Sequence, residues 1–486
     1  MTTSRIHRLL VLVTVALTSL AVLYMLWRRL TDLHMGFLYD EMYTLATANP
    51  ENSLSFIWRE ILLKDINPPL YNLMLYAWNH LAQPSGWWMR VFSLLAGIAT
   101  LLISCLGAPA DWPRLKKMTL FALTATANAL AISAFYIRSY AWAILTVYTF
   151  TLAALRIARH MAQRQFPSKK LWTAFFLAGL AGSYIHFFAA GLFFITALIL
   201  FIYACCYKTA RKTVFWGTAA AFALWTPWLA VTYHIMAAPT GMWWYVLPWA
   251  QASWEILQYL LGSPAVIAWI LMLGILALVS MVHTYRGKLA AQIDFMLPLG
   301  QLLLLTGVVA LISLKYNLWM DRYFSVALPC ILLLLTELMY HLYQRHRLFV
   351  VLLAALPLAW AWQYIPQNFN YVREYEGLKN AFAFVINELK ADTVVVDMDK
   401  TGYTEAAFNG MMSYYVPPGA SLKILRLTPQ TAARAAQEPK LPLLIPLCTQ
   451  MHMLETTLAY RIEEDQPPFI FDNDICLITI HPVPEP

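Results

Sequence analysis

The sequence predicts an all-α polytopic membrane protein of about eleven transmembrane helices, followed by a small C-terminal α/β domain outside the membrane. Three observations carry this. Of 486 residues only 12% are charged and 60% are hydrophobic, against about 25% charged in soluble proteins, and the mean hydropathy is +0.56. Apolar runs near the roughly 20-residue length of a bilayer span recur along the chain. The basic residues gather in alternate loops, as the positive-inside rule requires.

The candidate spans are 9–27, 91–107, 118–135, 140–155, 171–185, 188–206, 213–233, 265–282, 293–313, 324–342 and 348–364. The first follows Arg5 and Arg8 and resembles a signal peptide, but no small-x-small cleavage site precedes its polar flank, so it reads as an uncleaved span. The loops carrying Arg114, Lys116 and Lys117, then Arg156 to Lys170, Lys208 to Lys212, Arg286 and Lys288, and Arg345 and Arg347 all fall on the side of the N-terminus. That side is the cytoplasm. Localisation follows: an inner (cytoplasmic) membrane of a bacterium, N-terminus inside and tail outside. A formal net charge of +8 distributed this way argues for a membrane and against a nucleic acid partner.

The outer side then holds the 28–90 loop, the turns at 136–139 and 184–187, the loops 234–264 and 314–323, and everything after about 365. In the first loop, Leu54, Ile57, Trp58, Ile61 and Leu62 recur at helical spacing. They make an apolar stripe that suits a helix lying in the interface. A second helix starts at Pro68-Pro69 and runs toward Ala82, because proline is favoured at a helix start. The division is 1–365, a transmembrane catalytic domain, and 366–486, an extracytoplasmic α/β domain. The tail shows strand-like runs at Thr393–Met398, 469–471 and 475–480, and a helical run at 404–415. Cys448 and Cys476 lie in this tail and are either a disulfide or two unrelated thiols.

Ionisable groups beside hydrocarbon are costly and default to function. Three acids of the first loop are singled out: Asp40 and Glu41, after the first span, and Asp65 before Asn67-Pro68-Pro69-Leu70-Tyr71. An outward site has no access to cytoplasmic nucleotide sugars, so an energised sugar reaches it through the membrane, most simply as a lipid-linked donor. Transfer from a lipid phosphate needs a carboxylate to take the proton of the acceptor hydroxyl and cations to face the departing phosphate. Asp40 is the candidate base, with a helix N-cap as the structural alternative. Glu41 binds acceptor or metal, or is a first-turn charge. Asp65 caps the following helix, coordinates a cation or orients the acceptor. Arg138 and Arg322 are the phosphate forks, with snorkelling and a local Asp321–Arg322 pair as their alternatives. Arg90 anchors the second span or meets phosphate. His186, in a tight outer turn, is either structural or a metal ligand with Asp65 or Glu41. Walker, Cys-x-x-Cys, His-Glu-x-x-His and Gly-x-Ser-x-Gly motifs are absent, which argues against ATPase, zinc-protease and α/β-hydrolase chemistry.

At these residues the chain resembles the integral-membrane GT-C glycosyltransferases, especially bacterial relatives of the protein O-mannosyltransferases (glycosyltransferase family 39) and of the lipid A aminoarabinose transferases. The residues that carry the resemblance are Asp40-Glu41, Asp65-Ile66-Asn67-Pro68-Pro69-Leu70-Tyr71, Arg90-x-x-Ser93, Tyr136-x-Arg138-x-Tyr140, and Arg322-Tyr323 with Pro329. They span about residues 10 to 330. Many relatives have His where this chain has Asn67. The resemblance implies a GT-C fold, a polyprenyl-phosphate-sugar donor such as an undecaprenyl phosphate sugar, and inverting displacement onto a periplasmic glycan, lipid or protein of the cell envelope, lipopolysaccharide among them. It implies Asp40 as base, Arg138, Arg322 and Tyr323 at the donor phosphate, and Asn67, Tyr71 and Arg90 in contact with donor or acceptor. Some members use a divalent metal ion and others do not. The alternative from another class is a transporter or flippase of a lipid-linked or anionic solute, whose charges would lie near mid-bilayer in broken helices of two related halves. No internal repeat is visible.

Overall fold

In the computed structural model of the chain the described residues are 3–31, 33, 41, 44–45, 47–65, 67–82, 85–237, 248–285, 292–315, 318–363, 380–396, 416, 422–438, 441–445, 460–462, 469–471, 475–478 and 480–482. They form two compact units. The first comprises Met1–Asp32, Leu54–Met74 and Arg90–Ile365, and the second Leu33–Ser53, Leu75–Met89 and Pro366–Pro486.

The first unit is helical. In chain order the helices are α1 (Thr3–Thr31), α2 (Leu70–Asn79), α3 (Gly86–Leu106), α4 (Arg114–Thr126), α5 (Asn128–Phe135), α6 (Tyr140–Ala162), α7 (Lys169–Ile185), α8 (Phe187–Cys206), α9 (Arg211–Ala237), α10 (Trp249–Leu261), α11 (Pro264–Tyr285), α12 (Ile293–Ser313), α13 (Leu328–Arg345) and α14 (Leu352–Gln363). Short 3₁₀ turns at Arg322–Ala327 and Arg347–Val351 lead into α13 and α14. Among the described residues eight helical segments are long and apolar enough to cross a bilayer, or nine if the bent pair α4–α5 is one span. The chain is a multi-pass membrane protein. The other two expected spans are also helical but shorter: α7 has 17 residues, and Arg347–Gln363 falls in the same short class.

Local chemistry sets the ends. Pro113 and Pro248 precede α4 and α10, and Pro329 sits in the first turn of α13, where a missing N–H leaves no gap. Ser168 Oγ accepts the Leu171 N–H at the start of α7. Ala127 turns extended, with φ −61° and ψ 122°, and bends α4 against α5 by 52°. At Gly262 the chain turns from α10 into α11 with φ 102°, and a Cβ there would meet the Gln363 amide oxygen at 2.2 Å. That oxygen also accepts the Ser263 N–H at 3.1 Å.

The core lies around α6. In its apolar window 78% of residues are buried, against 22% in α9, so α6 is central and α9 presents most of its surface to lipid. Gly179 lets α7 and α8 approach closely, since a Cβ there would strike the Phe193 ring at 2.0 Å. A buried polar knot joins four helices. Gln301 Nε2 donates to Thr196 Oγ1 at 2.6 Å and to Thr151 Oγ1 at 3.2 Å, and Cys330 Sγ donates to Gln301 Oε1 at 3.5 Å.

The stretch 54–64 is helical as expected, but not uniformly. It passes from a turn at Leu54–Phe56 through a π-helical turn at Ile57–Ile61 into a 3₁₀ turn at Leu62–Lys64. Ile57, Ile61 and Leu62 are buried, whereas Leu54 and Trp58 are exposed. The wider π turn moves the side chains off the 3.6-residue period on which the stripe was read.

In the second unit the strands are β1 (Thr393–Val396), β2 (Lys423–Arg426), β3 (Leu443–Ile445), β4 (Tyr460–Ile462), β5 (Phe469–Phe471), β6 (Ile475–Ile478) and β7 (Ile480–Pro482). The main sheet has the order β2-β1-β3-β6-β5, and β4 pairs with β7 in a two-stranded sheet. β1 runs parallel to both β2 and β3, while β6 is antiparallel to β3 and β5. Val394, Val395 and Val396 are all fully buried, which is why an uninterrupted valine run, not an alternating one, occupies the middle parallel strand. The helix α15 (Pro429–Gln437) links β2 to β3. Its capping box pairs the Thr428 and Thr431 hydroxyls with each other's backbone N–H at 3.2 and 2.7 Å. The helical run expected at 404–415, and Cys448, lie outside the described residues.

Candidate functional site

Three tight breaks between helices of the first unit meet at one end of the bundle. The first is the turn 136–139 between α5 and α6. It is held from α3. Arg90 is fully buried, and its Nη1 donates to the Phe135 carbonyl at 2.7 Å; Ser93 Oγ donates to the Tyr136 carbonyl at 2.7 Å. These are carbonyls that the end of a helix would otherwise leave unmet. The turn is thereby fixed where it carries Tyr136, buried, and Arg138, half-buried.

The second break precedes α13. Asp321 Oδ1 accepts the Arg322 backbone N–H at 2.7 Å and starts the 3₁₀ turn. Arg322 Nη1 then donates to the Tyr136 hydroxyl at 3.1 Å, whereas its Nε stays 3.9 Å from the Asp321 carboxylate. The guanidinium therefore makes this shorter contact with a neutral group.

His186 is the third break, between α7 and α8. It is extended, with φ −155° and ψ 135°, and serves both helices. Its N–H donates to the Gly182 carbonyl at 2.9 Å, and its Nδ1 accepts the Phe188 N–H at 3.2 Å as the N-cap of α8. Burial, with the nearby Arg138 guanidinium adding to it, pushes the His186 imidazole down to about 3. The ring is neutral, and the proton is assigned to Nε2 because Nδ1 is an acceptor.

Aromatic rings tie the breaks together. His186 lies 5.7 Å from the Tyr140 ring, 5.7 Å from Tyr323 and 5.8 Å from Phe188, and Tyr136 lies 5.9 Å from Tyr140. The structure thus gathers Arg138, Arg322, Tyr323 and His186 into one cluster. Its charged groups are the two guanidiniums and the Asp321 carboxylate, 3.9 Å from Arg322 Nε, beside a neutral imidazole. Such a cluster can hold an anion and stabilise negative charge that grows on it.

The segment 65–71 belongs to the same unit. Asp65 is buried, and its Oδ1 accepts from both the backbone N–H and the side-chain Nδ2 of Asn67 at 2.9 Å. This Asx turn leads through Pro68-Pro69 into α2. The Tyr71 ring is 6.1 Å from Phe92, which is 4.7 Å from Trp142, two residues along α6 from Tyr140.

Glu41 belongs to the second unit. Glu41 is fully buried in a helical position, and Asp40 lies outside the described residues. Around Glu41 the loop is tied down by Asn79 Nδ2 donating to the Ala48 carbonyl at 2.8 Å and by the Tyr76 hydroxyl donating to the Asn52 carbonyl at 2.9 Å. Trp78 and Trp88 stack at 4.3 Å, and each indole N–H donates to the other's carbonyl. Among the described residues no group of three His, Cys, Asp or Glu is placed to hold a metal ion. His186 already uses Nδ1 within the chain, which leaves Nε2 as its one nitrogen for a ligand.

Sequence reasoning missed a second charged cluster in the first unit. Lys116 is buried, with Nζ 2.9 Å from Asp294 and 2.5 Å from Glu337 and 3.9 Å above the Trp112 ring. Arg159 Nη1 donates to both carboxylate oxygens of Asp294, at 2.7 and 2.9 Å, and Nη2 pairs with Asp111. Lys116 and Arg159 were read only as loop charges. The signal available was an acid inside each of two apolar spans, Asp294 and Glu337. The Tyr136 hydroxyl and Ser93 were also missed as supports of the arginines.

The chain is similar in structure to ArnT from Cupriavidus metallidurans. Against the apo crystal structure the identity is 11% over 96% of this chain and 97% of that one, with a TM-score of 0.44. Against the crystal structure bound to undecaprenyl phosphate it is 12% over 98% of each chain, with a TM-score of 0.40. No protein-family model and no curated protein matches the sequence.

Proposed function

We propose that the chain is a GT-C-type membrane glycosyltransferase that moves a sugar from a polyprenyl-phosphate donor to an acceptor on the outer face of a bacterial inner membrane. The observation that carries the reading is the meeting of Arg138 and Arg322 with neutral His186 and the tyrosines at one end of the helical unit. A lipid-borne phosphate arrives at the end of a bundle, at the level of the headgroups, and gains charge as the sugar leaves. Paired guanidinium groups suit that charge. In this reading Arg138, Arg322 and Tyr323 face the phosphate, Asp40 takes the proton of the acceptor hydroxyl, and Glu41 and Asp65 with Asn67, Tyr71 and Arg90 shape the acceptor and donor contacts. Displacement inverts the anomeric centre. Residues 1–365 form the catalytic domain, and 366–486 are the extracytoplasmic domain that borders the acceptor.

The test is incubation of the purified chain with a panel of radiolabelled polyprenyl-phosphate sugars and envelope glycans, lipids and proteins. One donor should be consumed with release of polyprenyl phosphate; a panel left intact sinks the reading. A divalent ion enters as a variable of the same assay, with and without chelator.

The break between α4 and α5 favours a second reading, a flippase of a lipid-linked solute, since broken helices recur in transporters. Arg29, however, serves that break structurally: it is buried and its Nη2 donates to the Ala125 carbonyl at 2.9 Å. A flippase would move the labelled donor across vesicles without cleaving it.

A further inference from the structure

We propose that Tyr136 is a positioning residue for the anion site: its hydroxyl holds the Arg322 guanidinium, and the turn that carries it couples Arg322 to Arg138. The inference rests on the donor-phosphate reading above and deepens it.

The contact is specific. Arg322 Nη1 donates to the Tyr136 hydroxyl at 3.1 Å, across 186 positions of sequence. Tyr136 is 2% exposed, whereas the Arg322 side chain is 25% exposed. The tyrosine is therefore buried, while the arginine it holds keeps part of its side chain exposed. A neutral oxygen in this place fixes the planar fork without adding a second negative charge to that of Asp321, whose carboxylate is 3.9 Å from Nε. The backbone under Tyr136 is itself fixed. Ser93 Oγ donates to the Tyr136 carbonyl and Arg90 Nη1 to the Phe135 carbonyl, both at 2.7 Å. Arg138 follows two residues later on the same turn. One anchored segment thus sets the direction of Arg138 through the main chain and of Arg322 through a hydroxyl.

The experiment uses the full chain in lipid nanodiscs and measures binding of a short-chain polyprenyl monophosphate, with the matching polyprenol as the control without phosphate. Tyr136→Phe should weaken phosphate binding about three- to ten-fold, the range of one hydrogen bond, and leave polyprenol binding unchanged. In turnover it should raise the KM for the donor and spare kcat. In an Arg322→Leu background the same change should alter binding by less than about two-fold, because the two residues act through one contact. Equal losses in both backgrounds, or unchanged phosphate binding by Tyr136→Phe, would overturn the proposal. If Tyr136→Phe lowers the folded yield, Ser93→Ala, which releases the Tyr136 carbonyl, carries the test: its loss must be smaller when Arg322 is Leu, the remainder passing through Arg138, and an equal loss in both backgrounds overturns the proposal. A parent chain that binds the phosphate no better than the polyprenol overturns the donor reading itself, whereas normal parent binding with an indifferent Tyr136→Phe overturns only the positioning role.

Discussion

His186 shows how one side chain can be both scaffold and chemistry. Its Nδ1 caps α8, and its ring closes the aromatic cluster beside Arg138. The depressed pKa makes a pH prediction with a definite sign. In the unfolded chain the imidazole titrates near 6.5, and in the folded chain near 3. Between these values the unfolded state binds more protons, so stability contributed by His186 is complete above about pH 6.5 and is lost as pH falls toward 3. Thermal unfolding followed from pH 7.5 to 4 should show this loss, and His186→Asn, which keeps an acceptor for the Phe188 N–H, should flatten the profile. A profile identical in the two chains removes the neutral-imidazole assignment. For the chemistry, Asp40→Asn should abolish transfer and leave polyprenyl phosphate binding intact, because an amide cannot accept the acceptor proton; near-normal turnover of that variant removes Asp40 as the base.

At the level of elements, the two charged clusters do different work. Lys116, Arg159, Asp294 and Glu337 join α4, α6, α12 and α13 by part-buried ion pairs, and Asp294 alone meets both cations and the Trp112 indole N–H at 2.7 Å. Removing its charge leaves Lys116 to Glu337 and Arg159 to Asp111 in a part-buried setting, which costs about 1–3 kcal/mol. Glu60 and Lys64 form a pair of similar length, 2.7 Å, but both side chains are largely exposed, and such pairs contribute about 0–1 kcal/mol. Asp294→Asn should therefore lower the unfolding temperature by several degrees in detergent, and Glu60→Gln should barely move it. Comparable shifts in the two variants would deny the Asp294 network its role. Residue patterns made the helices themselves legible, because a bilayer imposes length and composition that survive in one sequence. The start of α2 after Pro68-Pro69 was equally local. The phase of 54–64 was not, since a π turn leaves no mark in composition and moves Leu54 and Trp58 off the buried stripe.

For the whole molecule, side-of-membrane reasoning was the strongest guide and pairwise contacts the weakest. Parity of spans places 136–139, 186 and 322 on one side, and the structure brings those breaks together. It does the same at the other end for Lys116, Arg159 and Arg345 with the helix ends around them. Partners such as Arg159 and Asp294, or Tyr136 and Arg322, lie 135 and 186 positions apart, beyond any periodicity a single sequence displays. The basic loops predict an orientation in the cell, and that expectation has its own test. Phe166, in the turn between α6 and α7, and Glu438, after α15, are both exposed. With the N-terminus inside, an even number of spans separates it from Phe166 and an odd number from Glu438. A cysteine at Glu438 should react with a membrane-impermeant maleimide in cells whose outer membrane is permeable, above the labelling of the parent chain. A cysteine at Phe166 should react only after the inner membrane is opened. Labelling in the reverse order would place the arginine cluster in the cytoplasm, where soluble nucleotide sugars are available, and would remove the reason for a lipid-borne donor.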